Sequence, residues 1–128
     1  MENAALNAIG GIILDASITV HRELGPGLLE SAYVLALVKE LSLRNIHCHT
    51  QVPVELHYKG EPLGKAYVID ILVENEIILE IKSVDTMIPI FTAQLITYLK
   101  LRNLKLGYLI NFNEQLLKDG FTRLVHKF

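Results

Sequence analysis

Two carboxylates and an ammonium interrupt the apolar stretch VIDILVENEIILEIKSV, residues 68–84. Asp70, Glu80 and Lys82 stand where Val, Ile and Leu otherwise dominate. The two β-branched runs, 66–73 and 77–84, are separated by ENE (74–76), a spacing that suits a hairpin. With the turn centred on Asn75, paired residue numbers sum to 150, so Asp70 faces Glu80. Lys82 joins that face because strand side chains alternate with a period of two. A two-residue turn would send Glu80 to the opposite face, so the cluster requires an odd loop or a bulge that restores the phase.

An isolated E-x-K is most often a structural ion pair, here Lys82 with one carboxylate. In this stretch two carboxylates share one ammonium, and both strands are apolar on either side. Unpaired buried charge is costly, and adjacent carboxylates raise one another's pKa unless a cation sits between them. A divalent ion would supply that charge, and Mg²⁺ favours one or two carboxylates with water completing its shell. Such an ion can polarise a phosphate and activate water, with a lysine nearby to stabilise charge. Metal-assisted phosphodiester hydrolysis is the chemistry this trio suggests.

The elements that must hold the trio follow from periodicity. Leu6, Ile9, Ile13, Ala16, Val20 and Leu24 recur at steps of three and four, one face of an amphipathic helix. GPG at 25–27 ends it. A second helix follows, with Leu29, Tyr33, Leu37 and Leu41 at i+4 and Ala36 and Val38 widening the face. After RNIHCH the period changes: TQVPVELHY is β-rich, KGEPLG (59–64) reads as a turn, and KAYVIDILV and IILEIKSV read as strands. PIFTAQLITYLKLRN returns to helical spacing, with Pro89 suited to a first turn. LGYLINF reads as a buried strand, NEQLLKDG as a short helix or turn, and FTRLVHKF as a last strand. The order is α-α-β-β-β-α-β-(α)-β, an α/β or α+β fold with helices packed on a sheet.

The 128 residues suit one domain, 1–128, with no repeat, low-complexity tract or linker. The single cysteine, Cys48, excludes an internal disulfide and fits a reducing compartment. Glu2 sits where a signal peptide needs positive charge, and Asn7, Asp15, Ser17 and Thr19 break the apolar run a membrane span needs. A soluble cytoplasmic protein with no membrane partner is the plain reading. The net charge of −2 argues against simple coating of nucleic acid. Residues 86–128 carry 2 acidic and 6 basic side chains, against 12 and 6 in residues 1–85. Lys100, Arg102, Lys105, Lys118, Arg123 and Lys127 could line a phosphate-facing edge, although ordinary solvated residues are the plainer account of the count.

Asp70, nine intervening residues, then Glu80-Ile81-Lys82 resembles the D…(D/E)-x-K core of the PD-(D/E)xK nuclease superfamily. GLLESAY at 27–33 fits G-x-x-E-x-x-Y, the motif of that superfamily's GxxExxY protein family, and Gln94 and Tyr98 in QLITYL resemble its Q-x-x-x-Y helix. The resemblance runs from about residue 8 to the C-terminus. It implies a restriction-endonuclease-like core with a mixed central sheet flanked by helices. It implies a Mg²⁺- or Mn²⁺-dependent nuclease acting on DNA or RNA. Asp70 and Glu80 become metal ligands, the backbone carbonyl of Ile81 a third, and Lys82 the residue that positions water or stabilises charge. Glu30 becomes a further metal ligand or binds the ion's water, while Gln94 and Tyr98 orient Lys82 or contact a phosphate.

The sequence departs from the family at Val68 and Phe91, where many relatives carry a basic residue and a histidine. Glu30 also has a plainer reading, since a carboxylate in a helix's first turn is favoured by the macrodipole. Tyr33 reads as core packing and Gly27 as a turn residue. Gln94 reads equally as a surface polar residue and Tyr98 as an amphipathic core residue. HCH at 47–49 juxtaposes three zinc-ligand types, but adjacent strand residues point to opposite faces and no second cluster completes a tetrahedral set. The short chain suggests a homodimer or a larger complex. A non-catalytic binding or assembly module on the same fold is the rival reading.

Overall fold

A computed structural model describes all 128 residues. Helix α1 (Asn3–Leu24) buries Leu6, Ile13, Ala16 and Val20, the face that its periodicity marks. By length and composition α1 could cross a membrane, with a mean hydropathy of 1.4 over its most apolar window. Here its apolar side is used in the core instead. The chain leaves α1 through Gly25 and Gly27, whose φ values of 69° and 96° belong to the left-handed region. Helix α2 (Glu30–Leu43) buries Tyr33, Leu37 and Leu41. Leu29 is not on that face; it precedes the helix and is exposed.

Strands β1 (Cys48–Tyr58) and β2 (Glu61–Val73) form a long antiparallel hairpin. Its turn is only Lys59-Gly60, both at positive φ, as tight hairpins require. The stretch read as a six-residue turn is therefore mostly strand: Pro62 and Gly64 lie inside β2, opposite His57 and Leu56. Strand β3 (Ile77–Lys82) pairs antiparallel with β2. Helix α3 (Pro89–Arg102) carries Pro89 in its first turn and ends at Asn103 in the left-handed conformation. It leads to β4 (Leu106–Asn111), parallel to β3, and then to β5 (Phe121–Val125), antiparallel to β4.

The sheet order β1-β2-β3-β4-β5 is mixed. Two clusters fill its faces. Tyr33, Leu37, Ile71, Leu79 and Ile81 pack with α1 on one side; Ile69, Leu72, Ile78 and Leu109 pack with Leu95, Tyr98 and Leu99 of α3 on the other. Strand β4 is buried throughout, as a central strand covered on both faces should be.

Candidate active site

The β2–β3 ladder pairs Val73 with Ile77, Leu72 with Ile78 and Ile71 with Leu79. The loop is Glu74-Asn75-Glu76, with Glu74 and Asn75 at positive φ. An odd loop keeps the phase, and the ladder stops one step before Asp70 and Glu80. From there the side chains replace the ladder. The amide of Asp70 donates to Glu80 Oε2 at 2.8 Å, and the amide of Ile81 donates to Asp70 Oδ2 at 2.8 Å.

Strand β2 also changes phase at this point. Ile71 and Val73 pack on the α1–α2 side, whereas Ile69, two residues earlier, packs on the α3 side. Strict alternation would put Ile69 and Ile71 on one face. Across the hairpin, the paired positions pass from Thr50–Ile71 to Val52–Ile69, and the intervening Gln51 has a φ of 52°. The sheet forks at Asp70.

Electrostatics mark the fork as short of positive charge. Glu80 is only 5 % exposed. Burial first, then the Asp70 carboxylate, pushes Glu80 up to about 8. Asp70 is raised too, by burial and by the Glu30 charge, against the opposing amide of Ile81 and the charge of Lys82. No ion pair joins Lys82 to either carboxylate. Its Nζ lies 4.3 Å from the centre of the Phe91 ring, a cation–π contact with α3. The simple Lys82–carboxylate pair is therefore not the arrangement here.

Helix α3 supplies the next groups. Tyr98 is buried, and its hydroxyl is pushed up to about 12 by burial and by Glu80 and Asp70. Its ring lies 5.5 Å from that of Tyr67. One turn earlier, Gln94 lines an open groove of about 210 Å³ with Tyr67, Ile90 and Thr97.

Glu30 begins α2, and its Oε2 accepts the amide of Ser83 at 3.3 Å, just past β3. The loop before it is fixed by Tyr33, whose hydroxyl donates to Gly25 O at 2.5 Å and accepts from the Leu28 amide at 3.1 Å. Tyr33 stacks on Phe112 at 4.5 Å. In GLLESAY, then, Gly27 and Tyr33 shape the turn, and Glu30 reaches the strand end. The buried Asn111 fixes the residues after Ser83: its amide accepts from Val84 N at 3.1 Å and donates to Val84 O at 3.0 Å.

The fold thus gathers Asp70, Glu80 and Tyr98, with Lys82 and Glu30 near enough to act electrostatically and Gln94 in the adjoining groove. No three His, Cys, Asp or Glu side chains form a ready metal cage. Two carboxylates, each with one oxygen engaged by an amide and both raised first by burial, fit an ion that keeps most of its water. Lys105 bonds Asn3, and Arg123 bonds Asn7 and covers Phe128, all at the start of α1 or the chain's end.

Sequence reasoning missed Tyr67, Ser83 and Asn111, and saw Phe91 only as a departure. A basic residue at the end of an apolar strand, followed by an aromatic in the next helix's first turn, was the available signal for the Lys82–Phe91 contact. Nothing local marks Tyr67, because its approach to Tyr98 depends on the fork.

A mixed five-stranded sheet covered by helices on both faces, with D…ExK at a fork between its second and third strands, defines a nuclease-type architecture. The family model of the PD-(D/E)XK nuclease superfamily matches residues 7–124, and the chain belongs to that superfamily. No curated protein and no solved structure gives a significant match.

Proposed function

We propose that the chain is a metal-dependent nuclease of the GxxExxY branch, hydrolysing phosphodiester bonds in DNA or RNA. The observation that carries this is the pairing of Asp70 and Glu80 at the fork, both raised by burial, Glu80 also by the Asp70 charge and Asp70 by that of Glu30. Mg²⁺ or Mn²⁺ bound there would offset the two carboxylates and polarise the scissile phosphate. Asp70 and Glu80 would hold the ion, with the Ile81 carbonyl as a third donor and Glu30 receiving its water. Lys82 leaves the Phe91 ring to place its ammonium on the phosphate or the attacking water. Gln94 and Tyr98 line the substrate side from α3. A homodimer or a larger complex would extend the grip on the strand, and the cytoplasm is the proposed setting.

A second reading is a non-catalytic binding or assembly module. It is favoured by the Lys82–Phe91 contact, which holds the ammonium away from the carboxylates.

The test is incubation with linear, circular, single-stranded and branched DNA and with RNA, in Mg²⁺ or Mn²⁺, beside Asp70→Ala and Lys82→Ala. Cleavage by the wild type and its loss in both variants supports the nuclease. Equal cleavage in all three would mean contamination, and none in any would favour the binding module.

A further inference from the structure

We propose that His47 and His49, at the entry to β1, form a two-nitrogen site for a divalent transition-metal ion such as Zn²⁺, Ni²⁺ or Cu²⁺. The site is distinct from the Asp70–Glu80 carboxylates in residues and in donor chemistry. Residues two apart on an extended chain project to the same side. Their imidazoles meet edge to face, ring centres 4.6 Å apart and planes at 87°. The Nε2 atoms stand 3.3 Å from one another. Two nitrogens bound at 2.0–2.1 Å to one tetrahedral ion are about 3.3 Å apart, so the rings already have the spacing of a chelate.

Both side chains are exposed, and neither ring bonds any other group of the chain. The backbone beneath them is fixed. The His47 amide donates to Glu74 Oε1 at 2.8 Å, and the His47 carbonyl accepts the Glu74 amide at 2.9 Å. Cys48, between the two histidines, packs against the α1–α2 cluster instead. The donor set is therefore the two imidazole rings, with water in the remaining positions. Imidazole suits Zn²⁺, Ni²⁺ and Cu²⁺, whereas Mg²⁺ prefers carboxylate oxygen. The two sites should consequently sort metals by ligand type.

The test is calorimetric titration of Zn²⁺ and Ni²⁺ into the untagged full chain, with excess Mg²⁺ present. His47→Ala, His49→Ala and Asp70→Asn are run in parallel, with His57→Ala as a surface-histidine control. One ion per chain is expected for the wild type. Binding should weaken about tenfold or more in His47→Ala and in His49→Ala, and stay unchanged in the other two. Both histidines are exposed, so circular dichroism should report the same fold in every variant. Wild-type-like binding by the two histidine variants would overturn the proposal. So would a loss that follows Asp70→Asn, or no binding by the wild type, which would leave the ring contact as a simple N–H···N hydrogen bond.

Discussion

The backbone amide of Asp70 donates to Glu80 Oε2, and Asp70 returns the contact by accepting the amide of the residue after Glu80. Each carboxylate is thus bound to the opposite strand's backbone. Their orientation depends on main-chain hydrogen bonds that survive any movement of Lys82. Holding the groups on rigid strands is what a metal site needs for fixed geometry.

That arrangement makes stability fall as pH rises. Glu80 is raised from 4.5 to about 8 in the folded chain, so between those values the native state holds a proton that the unfolded state has released. The slope cannot exceed about 1.4 kcal/mol per pH unit for one proton. Urea unfolding from pH 5 to pH 8.5 should show this decline, and Glu80→Gln should flatten it. A wild-type curve that rises across the window would contradict the assignment.

Mg²⁺ should act most strongly where that penalty is largest. At pH 8 it should raise the thermal midpoint of the wild type, because an ion that binds only the native state stabilises it. EDTA should reverse the gain. Asp70→Asn with Glu80→Gln should show no response to either, as read by scanning calorimetry.

Two adjacent glycines in α1 should respond in opposite directions. A Cβ on Gly10 would run into Tyr108 Oη, whereas one on Gly11 meets nothing within 4 Å. Gly11→Ala should stabilise by about 0.5–1 kcal/mol through helix propensity. Gly10→Ala should destabilise by about 1–3 kcal/mol, since Tyr108 must leave its packed position. Chemical denaturation of both variants checks the pair.

Tyr33→Phe removes the hydroxyl that bridges Gly25 O and the Leu28 amide. The expected cost is about 1–2 kcal/mol, because a half-buried donor and acceptor lose their partner. Faster hydrogen exchange at the Leu28 amide would locate the loss in the loop ahead of Glu30. Unchanged exchange there would show that the hydroxyl does not hold that loop.

The hairpin register was legible because loop length alone decides it: three residues between Val73 and Ile77 leave Asp70 level with Glu80. The helices were legible from their spacing, and Pro89 and the GPG turn fell where local sterics put them. The extent of the β1–β2 hairpin was not, because Pro62 and Gly64 carry turn chemistry even though Lys59-Gly60 makes the turn alone. Nor was the phase change at Asp70, which arises from pairing with β1 opposite Gln51 and leaves no periodic mark. For the same reason Lys82 was expected beside a carboxylate, yet it rests on Phe91, a residue of another element.

The fork has one further consequence. Beyond Ile71 no third strand flanks β2, so the outer part of the β1–β2 hairpin stands as an arm with free backbone groups along it. Such an edge ordinarily invites a neighbouring molecule to add a strand and begin polymerising. Here Pro53 and Pro62 withhold amide donors, and the exposed Glu55, Lys59, Glu61 and Lys65 place charge along the arm. The chain can therefore open its sheet beside the carboxylates and still discourage edge-to-edge aggregation.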